Sequence, residues 1–413
     1  MRKMKDSGIE WIGMIPENWD IRRAKYNIII SHGSDPKTEE GDTPVYGSGA
    51  GSFKTCQEFK KGPIVLIGRK GSLNIPHYIE GNYWNVDTAF DVQAIKGKYD
   101  LRFYYYCAIN FDYDLYLTHT ALPSMTQGDY YNMRLPLLPL PEQRAIAEYL
   151  DKRCGEIDSA IGAAKELIEE YKEYKRSLIT EAVTKGLDSK VKTKDSGVEW
   201  IGKIPEYWVV KKLKYAFDFG KGLPITKANL EDSGVAVISY GQIHSKKNTG
   251  TRIDDCLIRY VNESYLRTNS DSLTKKTDFL FADTSEDLDG CGNCVYVDKD
   301  IQLFAGYHTI ILRNRMSDDA KYFAYLFKTD CWRRQLREIV WGVKLFSVTQ
   351  RILMQASIIM PPLSEQKAIV AHLDEKCSLI DSLISEKESL VSELEEYKKS
   401  LIFECVTGKK EIA

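Results

Sequence analysis

The chain carries the same fifteen-residue stretch twice. KDSGIEWIGMIPENW occupies residues 5–19, and KDSGVEWIGKIPEYW occupies residues 194–208. The match continues to residues 26 and 215, and 14 of the 22 aligned positions are identical. An internal repeat of this kind predicts one structural unit that is built twice. We call residues 5–26 and 194–215 the Trp motifs.

A second pair of matching segments follows at a different offset. PLPEQRAIAEYLD at residues 139–151 aligns with PLSEQKAIVAHLD at residues 362–374, so that Glu142 corresponds to Glu365. The segments between the Trp motif and this second match, residues 27–134 and 216–357, share little sequence, and the second is 34 residues longer. The chain therefore alternates two variable segments with two kept segments, which is the pattern expected of interchangeable binding domains on a common frame.

Each kept segment is predicted to be a long helix with a coiled-coil seam. Apolar residues recur at alternating spacings of three and four from Leu150 and again from Leu373. Such a narrow apolar stripe needs a partner helix, and the other copy supplies one. The first helix leads from the first variable segment to the second, and the second helix returns, so the two helices are expected to be antiparallel.

The variable segments are predicted to be two versions of one mixed α/β domain. GPIVLIGRKG (62–71) and FLFADTSEDLDG (279–290) each predict a buried strand followed by a turn. YWNVDTAFDVQAI and LFAGYHTIILRN predict later strands, and RFYYYCAINFD and KYFAYLFKTDCW predict helices. The alignment pairs Asp87-Thr88 with His308-Thr309.

The predicted fold class is therefore α/β (α+β), with two mixed α/β domains, a pair of long antiparallel coiled-coil helices and approximate two-fold symmetry. The predicted boundaries are 1–140 for the first domain, 141–186 for the central helix, 187–363 for the second domain and 364–413 for the C-terminal helix.

Several functional classes receive no support from the sequence. No apolar run approaches the ~18 residues of a membrane span. The N-terminus MRKMKDSGIEW has no apolar stretch after its charges, and the nine cysteines are scattered. We therefore expect reduced thiols and a cytoplasmic location.

Two short motifs resemble known sites but fit a simpler interpretation. Cys291 and Cys294 form a CxxC without a second pair, so a turn with two buried thiols is favoured over a zinc or redox site. The glycine-rich YGSGAGSF (46–53) lacks the helix that a dinucleotide fingerprint requires, and it is predicted to be a tight turn. Since the common catalytic motifs are also missing, no catalytic or metal-ligating residue is predicted.

Nucleic-acid binding is the function that the variable segments favour. The net charge is only −2, but a neutral domain binds DNA when its basic residues gather on one face. Basic clusters occur in the variable segments together with Gln, Asn, His and Ser, whose side chains can bond to base edges. The candidate DNA-contacting residues are Lys54, Arg69, Lys70, Ser72, Asn74, Ser124, Thr126 and Gln127 in the first segment, and Gln242, His244, Lys246, Lys247, Asn248, Lys344, Ser347 and Gln350 in the second. The matched pairs Ser124/Ser347 and Gln127/Gln350 are expected to contact the DNA backbone or brace the fold.

Taken together, these residues resemble the specificity subunits of type I restriction-modification systems. The resemblance rests on the SGIEWIG-type Trp motifs, on the helix openings LPLPEQRAIAEYLD and MPPLSEQKAIVAHLD, and on the helix ends EYKRSLI and EYKKSLI, and it covers nearly the whole chain. In that family two target-recognition domains alternate with two kept helical regions.

The resemblance implies a non-catalytic DNA-binding subunit. Each target-recognition domain would bind one half of a bipartite, asymmetric target in double-stranded DNA. The helices would dock two methyltransferase subunits, and restriction/translocase subunits would complete the complex. S-adenosylmethionine, ATP and Mg would be held by those partners and none of them by this chain.

Three other functions remain open on the sequence alone. A modification-only specificity subunit would give the same sequence pattern. A protein-bridging adaptor would show no salt-sensitive DNA binding. An enzyme with an unfamiliar active site would show activity without partners.

Overall fold

The computed structural model describes residues 2–116, 123–315, 318–340, 342 and 345–412. Its contacts divide the chain into two compact units. The first unit comprises Met1–Glu166 and Lys387–Ala413, and the second comprises Leu167–Glu386. Both long helices contribute residues to both units, so each unit contains one variable segment and part of each helix.

The first variable segment and its flanks form mostly short strands. In chain order these are β1 (Met4–Asp6), β2 (Met14–Pro16), β3 (Asp20–Arg23), β4 (Ile28–His32), β5 (Thr43–Tyr46), β6 (Ser52–Cys56), β7 (Lys60–Lys61), β8 (Ile64–Gly68), β9 (His77–Ile79), β10 (Asn82–Asn85) and β11 (Ala89–Ala94), followed by α1 (Leu101–Ile109), α2 (Gln127–Asn132), β12 (Arg134–Leu137) and the long helix α3 (Leu140–Lys185).

The second copy has a corresponding series of elements with additions. In chain order these are β13 (Thr193–Asp195), β14 (Lys203–Pro205), β15 (Val209–Lys212), β16 (Phe217–Lys221), β17 (Val235–Ile238), α4 (Tyr240–Ile243), β18 (Arg259–Val261), α5 (Tyr265–Thr268), β19 (Phe279–Ala282), β20 (Thr284–Ser285), β21 (Cys294–Tyr296), β22 (Leu303–Ala305), β23 (Thr309–Asn314), α6 (Ala320–Lys328), α7 (Asp330–Arg337), β24 (Phe346–Ser347), α8 (Gln350–Gln355), β25 (Ser357–Met360) and the long helix α9 (Leu363–Val406).

Strand pairing shows that the two variable segments are two versions of one domain. The antiparallel sheet β4-β11-β8-β9 of the first unit corresponds to β16-β23-β19-β21 of the second. The parallel pair β5·β10 corresponds to β17·β22. The pair β3·β12 corresponds to β15·β25, with Asp20 opposite Leu137 and Val209 opposite Met360. The shared-domain prediction is confirmed, and so are the strands and helices predicted within it.

The two long helices pack antiparallel inside each unit. In the first unit, Asp158 of α3 pairs with Lys398 of α9 (2.6 Å), and Lys165 of α3 pairs with Glu395 of α9 (3.1 Å). Residue numbers therefore rise along α3 in the direction in which they fall along α9. In the second unit Lys175 pairs with Asp381 at 2.5 Å. The predicted seam residues Leu150, Cys154, Ile157, Ile161, Leu373, Cys377 and Ile380 are all buried. Their burial joins the helices to the cores of the two units, because Leu150 and Leu401 lie in one cluster with the variable-segment residue Phe103.

The Trp motif of each unit binds the start of one long helix. Trp19 donates its indole N–H to the Glu142 carboxylate (3.3 Å), and Trp208 donates to Glu365 (3.0 Å). Both indoles are fully buried. The repeated Glu therefore satisfies a buried indole donor that belongs to the other repeated segment, which explains why the two motifs recur together.

The Gln that follows this Glu connects the long helix to α1 or α6. Gln143 accepts a hydrogen bond from the Asp100 N–H (2.7 Å), and Gln366 accepts one from the Asp319 N–H (2.9 Å). Asp100 and Asp319 are in turn the N-cap residues of α1 and α6. The repeated Glu-Gln dipeptide thus holds the variable segment and the helix in one orientation within each unit.

Candidate nucleic-acid interface

In the first unit, three chain segments meet where β8 ends. The Arg69 N–H donates to the Thr88 carbonyl (2.7 Å), and the Met125 N–H donates to the Arg69 carbonyl (3.0 Å). Lys70 forms an isolated β-bridge with Ser124. Because backbone hydrogen bonds fix these segments, the side chains of Arg69, Lys70 and Ser124 are held together at one edge of the sheet.

The charge at this edge comes from two cations around one carboxylate. Asp87 lies 3.5 Å from the Arg69 guanidinium and 3.9 Å from the Lys70 ammonium. Arg69 also donates to the Asp87 carbonyl at 3.1 Å. The two cations share one carboxylate partner, and either can contact a phosphate group; Asp112 and Asp114 line the neighbouring cavity at Gly71.

The glycine-rich loop 46–53 lies against the same edge. A side-chain carbon at Gly47 would approach the Thr88 hydroxyl to 3.0 Å, and one at Gly71 would approach the Ser48 hydroxyl to 3.3 Å. The loop reverses the chain between β5 and β6, where Tyr46 lies opposite Ser52, as the predicted turn requires. The loop ends in β6, where Lys54 is exposed and lies 5.9 Å from the ring centre of Phe53.

Ser72 and Asn74 are exposed in the turn that follows Gly71. Asn74 lines a cavity of about 280 Å³ together with Leu73, Phe111 and Pro123. Both side chains are accessible to a ligand at the edge formed by Arg69 and Lys70.

Thr126 and Gln127 hold the fold together in this unit. Thr126 caps α2, because its hydroxyl accepts from the Asp129 N–H (3.2 Å) while the Asp129 carboxylate accepts from the Thr126 N–H (2.7 Å). The Gln127 amide donates to the Ile30 carbonyl at 2.7 Å. Gln350 of the second unit makes the same kind of bond to the Gly220 carbonyl at 2.9 Å. These contacts explain why both copies keep a Thr-Gln pair.

In the second unit the corresponding strand end carries an acid-histidine pair. The Val348 N–H donates to the Asp283 carbonyl (2.8 Å), and Val348 corresponds to Met125, so Asp283 occupies the place of Arg69. The Asp283 N–H donates to the His308 carbonyl (3.1 Å), and the Asp283 carboxylate lies 3.1 Å from His308 Nδ1. The two units therefore present side chains of opposite charge at equivalent positions.

Strand register corrects the sequence alignment by one residue here. Phe90 lies opposite His32, and Ile310 lies opposite Lys221, which is the counterpart of His32 in the repeat. Thr88 thus corresponds to His308, and Asp87 corresponds to Tyr307. The alignment of Asp87-Thr88 with His308-Thr309 was wrong because these residues precede a strand that differs in sequence between the copies.

His308 is a candidate interface residue that the sequence did not single out. Its φ of 56° lies in the left-handed region, a conformation that costs a non-glycine residue ~1–3 kcal/mol. Its exposed ring makes edge contacts with Tyr240 and Tyr307, at centroid distances of 5.4 and 6.0 Å. An exposed imidazole beside two half-buried tyrosine rings and a carboxylate offers stacking and hydrogen bonding to a nucleic-acid base. Only the strand register brings Asp283, His308 and Tyr240 together.

The predicted residues between 242 and 248 divide into internal and exposed groups. Gln242 accepts from the Ser239 N–H (3.1 Å), and Asn248 donates to the Ile243 (2.7 Å) and Cys294 (3.0 Å) carbonyls. His244 contacts the Thr284 carbonyl (2.8 Å) and the Asn293 amide (3.0 Å) and lines a cavity of about 590 Å³. Lys246 and Lys247 are exposed.

The remaining predicted residues lie near β24. Ser347 is exposed and pairs with Thr284 across the β20·β24 ladder. Lys344 lies outside the described residues. DNA contact by any of the predicted residues stays a prediction.

The CxxC pair forms the turn with buried thiols that the sequence favoured. Cys291 and Cys294 are free and buried, and Cys294 begins β21. Burial raises the pKa of Cys291 and raises that of Cys294 to about 12. Thiols in this state are poor nucleophiles.

Among the described residues, no helix is long and apolar enough to cross a membrane.

Comparison with known proteins identifies the family. A sequence model described as the type I restriction modification DNA specificity domain matches residues 205–391. These residues run from the Trp motif of the second unit into α9, and the first unit has the same arrangement of strands. The second unit thus matches this domain, and the chain is similar to the specificity subunits of type I restriction-modification systems.

Characterised specificity subunits agree with this assignment. The type I restriction enzyme MjaVIII specificity subunit of Methanocaldococcus jannaschii is 26% identical over 64% of this chain and 59% of the relative. The EcoKI specificity subunit of Escherichia coli is 23% identical over 61% of this chain and 52% of the relative. The matches thus span between half and two thirds of these relatives.

Solved structures share the fold. A chain from a study of complex assembly and conformational transition of the type I restriction-modification system gives a TM-score of 0.72 at 14% identity, with 95% of this chain and 98% of that chain covered. The HsdS subunit from Thermoanaerobacter tengcongensis gives 0.52 at 15% identity, with 96% and 98% covered. The predicted fold class, with two mixed α/β domains and long antiparallel coiled-coil helices, is confirmed.

Proposed function

We propose that this specificity-family chain directs a type I restriction-modification complex to a bipartite, asymmetric target in double-stranded DNA. Each unit binds one half-site through the edge at which β8 or β19 ends. The chain itself catalyses no reaction. The observation that carries the proposal is the same domain skeleton built twice, with Arg69 in one copy and Asp283 at the equivalent position of the other.

This difference suits a protein that binds two different half-sites. Arginine donates hydrogen bonds to guanine, whereas aspartate accepts them from the cytosine amino group. A bridging adaptor with two identical partners has no need to invert the charge at matched positions. We therefore favour DNA recognition over protein bridging.

The partners follow from the same proposal. Two methyltransferase subunits dock on the two copies of the kept frame, and restriction/translocase subunits join them. S-adenosylmethionine, ATP and Mg belong to those subunits. The complex acts in the cytoplasm, where the DNA is. A modification-only complex would lack the translocase subunits.

An exchange of variable segments tests which part selects the target. Residues 216–356 are replaced by residues 27–133, with the junctions placed between matched elements. We expect the methylated motif, mapped by sequencing the genomic DNA of cells that carry the complex, to change to two copies of the half-site of the first unit. A control chain with the native segment cloned through the same junctions keeps the original motif. Retention of the original motif by the exchanged chain would contradict the proposal.

A single substitution tests the edge itself. Arg69→Ala removes a donor that faces the proposed half-site, and we expect DNA affinity to fall about tenfold, with weaker salt dependence. Arg153→Ala on α3 removes an exposed arginine that pairs with Glu156 (2.6 Å) and is expected to leave affinity unchanged. Equal affinity for both variants, measured by fluorescence anisotropy on the mapped target, would remove Arg69 from the interface.

A further inference from the structure

The second unit contains a cavity that the proposed DNA interface does not explain. Its volume is about 700 Å³, and it lies among the C-terminal part of α3, the corner between α6 and α7, the N-terminal part of α9 and the loop at Thr249. All of these segments belong to one unit. This volume falls in the range of small-molecule sites, roughly 300–1,000 Å³.

The walls of this cavity carry an excess of positive charge. Its charged lining residues are the cations Lys172, Lys175, Arg176, Lys328, Arg333 and Arg337 and the acids Asp289, Asp330 and Asp381. Asp381 is paired with Lys175 (2.5 Å), and Asp330 is paired with Arg337 (2.6 Å). These pairings leave Lys328 and Arg333 without a carboxylate partner in the described part of the chain.

Arg333 is held in place by neutral acceptors. It donates to the carbonyls of Asp289 (2.6 Å) and Cys291 (3.3 Å) and to the side chain of Asn293. Its position is therefore fixed while its charge is not neutralised. Such a pre-positioned guanidinium is suited to bind an anion without reorganising.

Lys328 has no hydrogen bond or ion pair among the described residues, although it is partly buried. Burial, together with the charge of Lys175, lowers its pKa to about 8. Two other lining residues carry buried polar atoms without a hydrogen-bond partner, Thr249 Oγ1 and Arg337 Nε. A partly buried cation without a partner lowers the stability of the fold, and a bound anion would offset that cost.

The internal repeat shows that the fold does not require this lysine. Arg102 of α1 and Lys321 of α6 bind Asp151 and Asp374 at 2.8 and 2.7 Å, so they mark equivalent positions. Seven residues later the first unit has Ile109 where the second has Lys328.

The element that follows also differs between the units. The first unit has the 3-10 turn Tyr113–Leu115 after α1, and the second has α7, which supplies Arg333 and Arg337. Lys328 thus corresponds to an apolar residue of the first unit, and Arg333 and Arg337 come from a helix that follows α6 directly.

We propose that this cavity binds a small organic phosphate, with Lys328 and Arg333 holding its phosphate group. An ammonium and a guanidinium together complement the several acceptor oxygens of a phosphate. Ile179, Phe327 and Ile384 line part of the same cavity, and their apolar surface suits an organic substituent. The predicted DNA-contacting residue Asn248 lines this cavity, and Arg333 also lines the cavity at His244. The experiments below therefore include DNA as a competitor.

Calorimetric titration of the full chain with inorganic pyrophosphate, at pH 7 and constant ionic strength, tests this site. We expect saturable binding by the unaltered chain. The affinity should fall at least tenfold in Lys328→Met and in Lys328→Ile, which introduces the residue found at the equivalent position 109 of the first unit. Lys367→Met removes an exposed lysine of α9 and is expected to bind as the unaltered chain does. Absence of saturable binding, or equal binding by Lys328→Met, would overturn the proposal.

A second measurement needs no substitution. Acetylation of lysines in the unaltered chain, followed by mass spectrometry, should show Lys328 protected by pyrophosphate and Lys367 unprotected. Equal modification of Lys328 with and without pyrophosphate would also overturn the proposal.

Adding duplex DNA of random sequence to the titration shows whether the bound phosphate group belongs to a free compound or to the DNA backbone. If the natural ligand is a free phosphate compound, as we expect, pyrophosphate binds equally well at saturating DNA. If DNA displaces pyrophosphate and Lys328→Met binds DNA more weakly, the same site holds a backbone phosphate. Loss of DNA recognition in Arg69→Ala with intact pyrophosphate binding would show that the two proposals stand separately.

Discussion

At the scale of single residues, the two Trp motifs are held by matched indole–carboxylate hydrogen bonds. Trp208→Phe removes the donor to Glu365 and leaves that carboxylate with one partner fewer. We expect the free energy of unfolding to fall by about 1–2 kcal/mol. Trp200→Phe is a control with no hydrogen bond to lose, because the Trp200 indole nitrogen has no partner among the described residues. Since Trp200 is only half-buried, this truncation is expected to cost about 0.5 kcal/mol or less. Urea denaturation of both variants measures the difference, and equal losses would mean that the hydrogen bond contributes nothing.

Also at this scale, Lys328 is expected to make the free energy of unfolding increase with pH. Its folded pKa of about 8 lies below the ordinary 10.5, so between these values the unfolded chain binds more protons and the free energy of unfolding rises with pH. The charged groups that act on Lys328 are Lys175 of α3 and Asp381 of α9, together with the Cys377 thiol.

The variant Lys328→Met should remove this dependence. In phosphate-free buffer at pH 7 we expect it to be about 1–2 kcal/mol more stable than the unaltered chain. The difference should shrink toward zero near pH 10, as measured by urea denaturation at each pH. Lower stability of Lys328→Met across the whole range would mean that the ammonium has a stabilising partner.

At the scale of elements, each long helix is followed within two residues by a glycine that packs on a Trp motif. Gly186 follows α3 with a φ of 79°, and a side-chain carbon there would lie 2.8 Å from Glu365 Oε1 and 3.2 Å from Trp208. Gly408 follows α9 with a φ of 72°, and such a carbon would lie 2.5 Å from Pro16 and 3.0 Å from Trp19. Glycine is needed at both positions for its conformation and for the close approach of the Trp motif.

Alanine is expected to have opposite effects on stability at the glycine that follows α3 and at a glycine within α3. Gly186→Ala should destabilise the chain by about 1–3 kcal/mol, because the new methyl group meets both a strained backbone and close neighbours. Gly162→Ala lies within the helix, where nothing would approach its methyl group within 4 Å, and should stabilise the chain by about 0.5–1 kcal/mol. Thermal unfolding of the two variants gives the signs directly, and a loss of stability in both would contradict the assignment of Gly186 as the special position.

At the scale of the whole molecule, the first unit closes on itself through both ends of the described chain. Arg2 pairs with Glu411 at 3.2 Å and with Glu142 at 2.6 Å. Lys409 donates to the Ile12 carbonyl at 3.1 Å. The C-terminal residues therefore complete the surroundings of the first Trp motif.

A circular permutant tests this closure. A short glycine-serine linker joins Ala413 to Met1, and the chain is opened at Ser189, an exposed residue between α3 and β13. Because Arg2 and Glu411, which lie next to the joined ends, are paired at 3.2 Å and the opening breaks no element, we expect a folded chain with a melting temperature within a few degrees of the original. A permutant opened after Leu66, inside the fully buried strand β8, should not fold. Equal failure of both would contradict the closure.

Much of the fold could be predicted from the sequence, because its signals are local. The alternating spacing of three and four from Leu150 specifies a helix with one buried stripe over a few turns. The apolar runs before Gly68 and Asp283 specify buried strands in the same way. Because these patterns occur in both copies of the repeat, each predicted helix or strand is supported twice.

The candidate site could be predicted only in part, because its contacts depend on strand register and on burial. The sequence placed Arg69 and Lys70 after a strand but did not show that Asp87 lies between them, nor that His308 corresponds to Thr88. It gave Thr126 the same standing as Arg69, although Thr126 caps a helix. For Gln127 it allowed a bracing role, and the bond to the Ile30 carbonyl is such a contact.

What the sequence determined by itself is that one α/β domain and one long helix occur twice, and that the chain resembles the type I specificity subunits. The tertiary structure was needed to show that Trp208 meets Glu365, that Asp283 meets His308, and that Lys328 has no hydrogen-bond or ion-pair partner among the described residues. Periodicity and capping are satisfied by neighbours along the chain, so they are visible in the sequence. Contacts between residues that lie 25 positions apart, as Asp283 and His308 do, or 157 apart, as Trp208 and Glu365 do, become fixed only when the strands pair and the core closes.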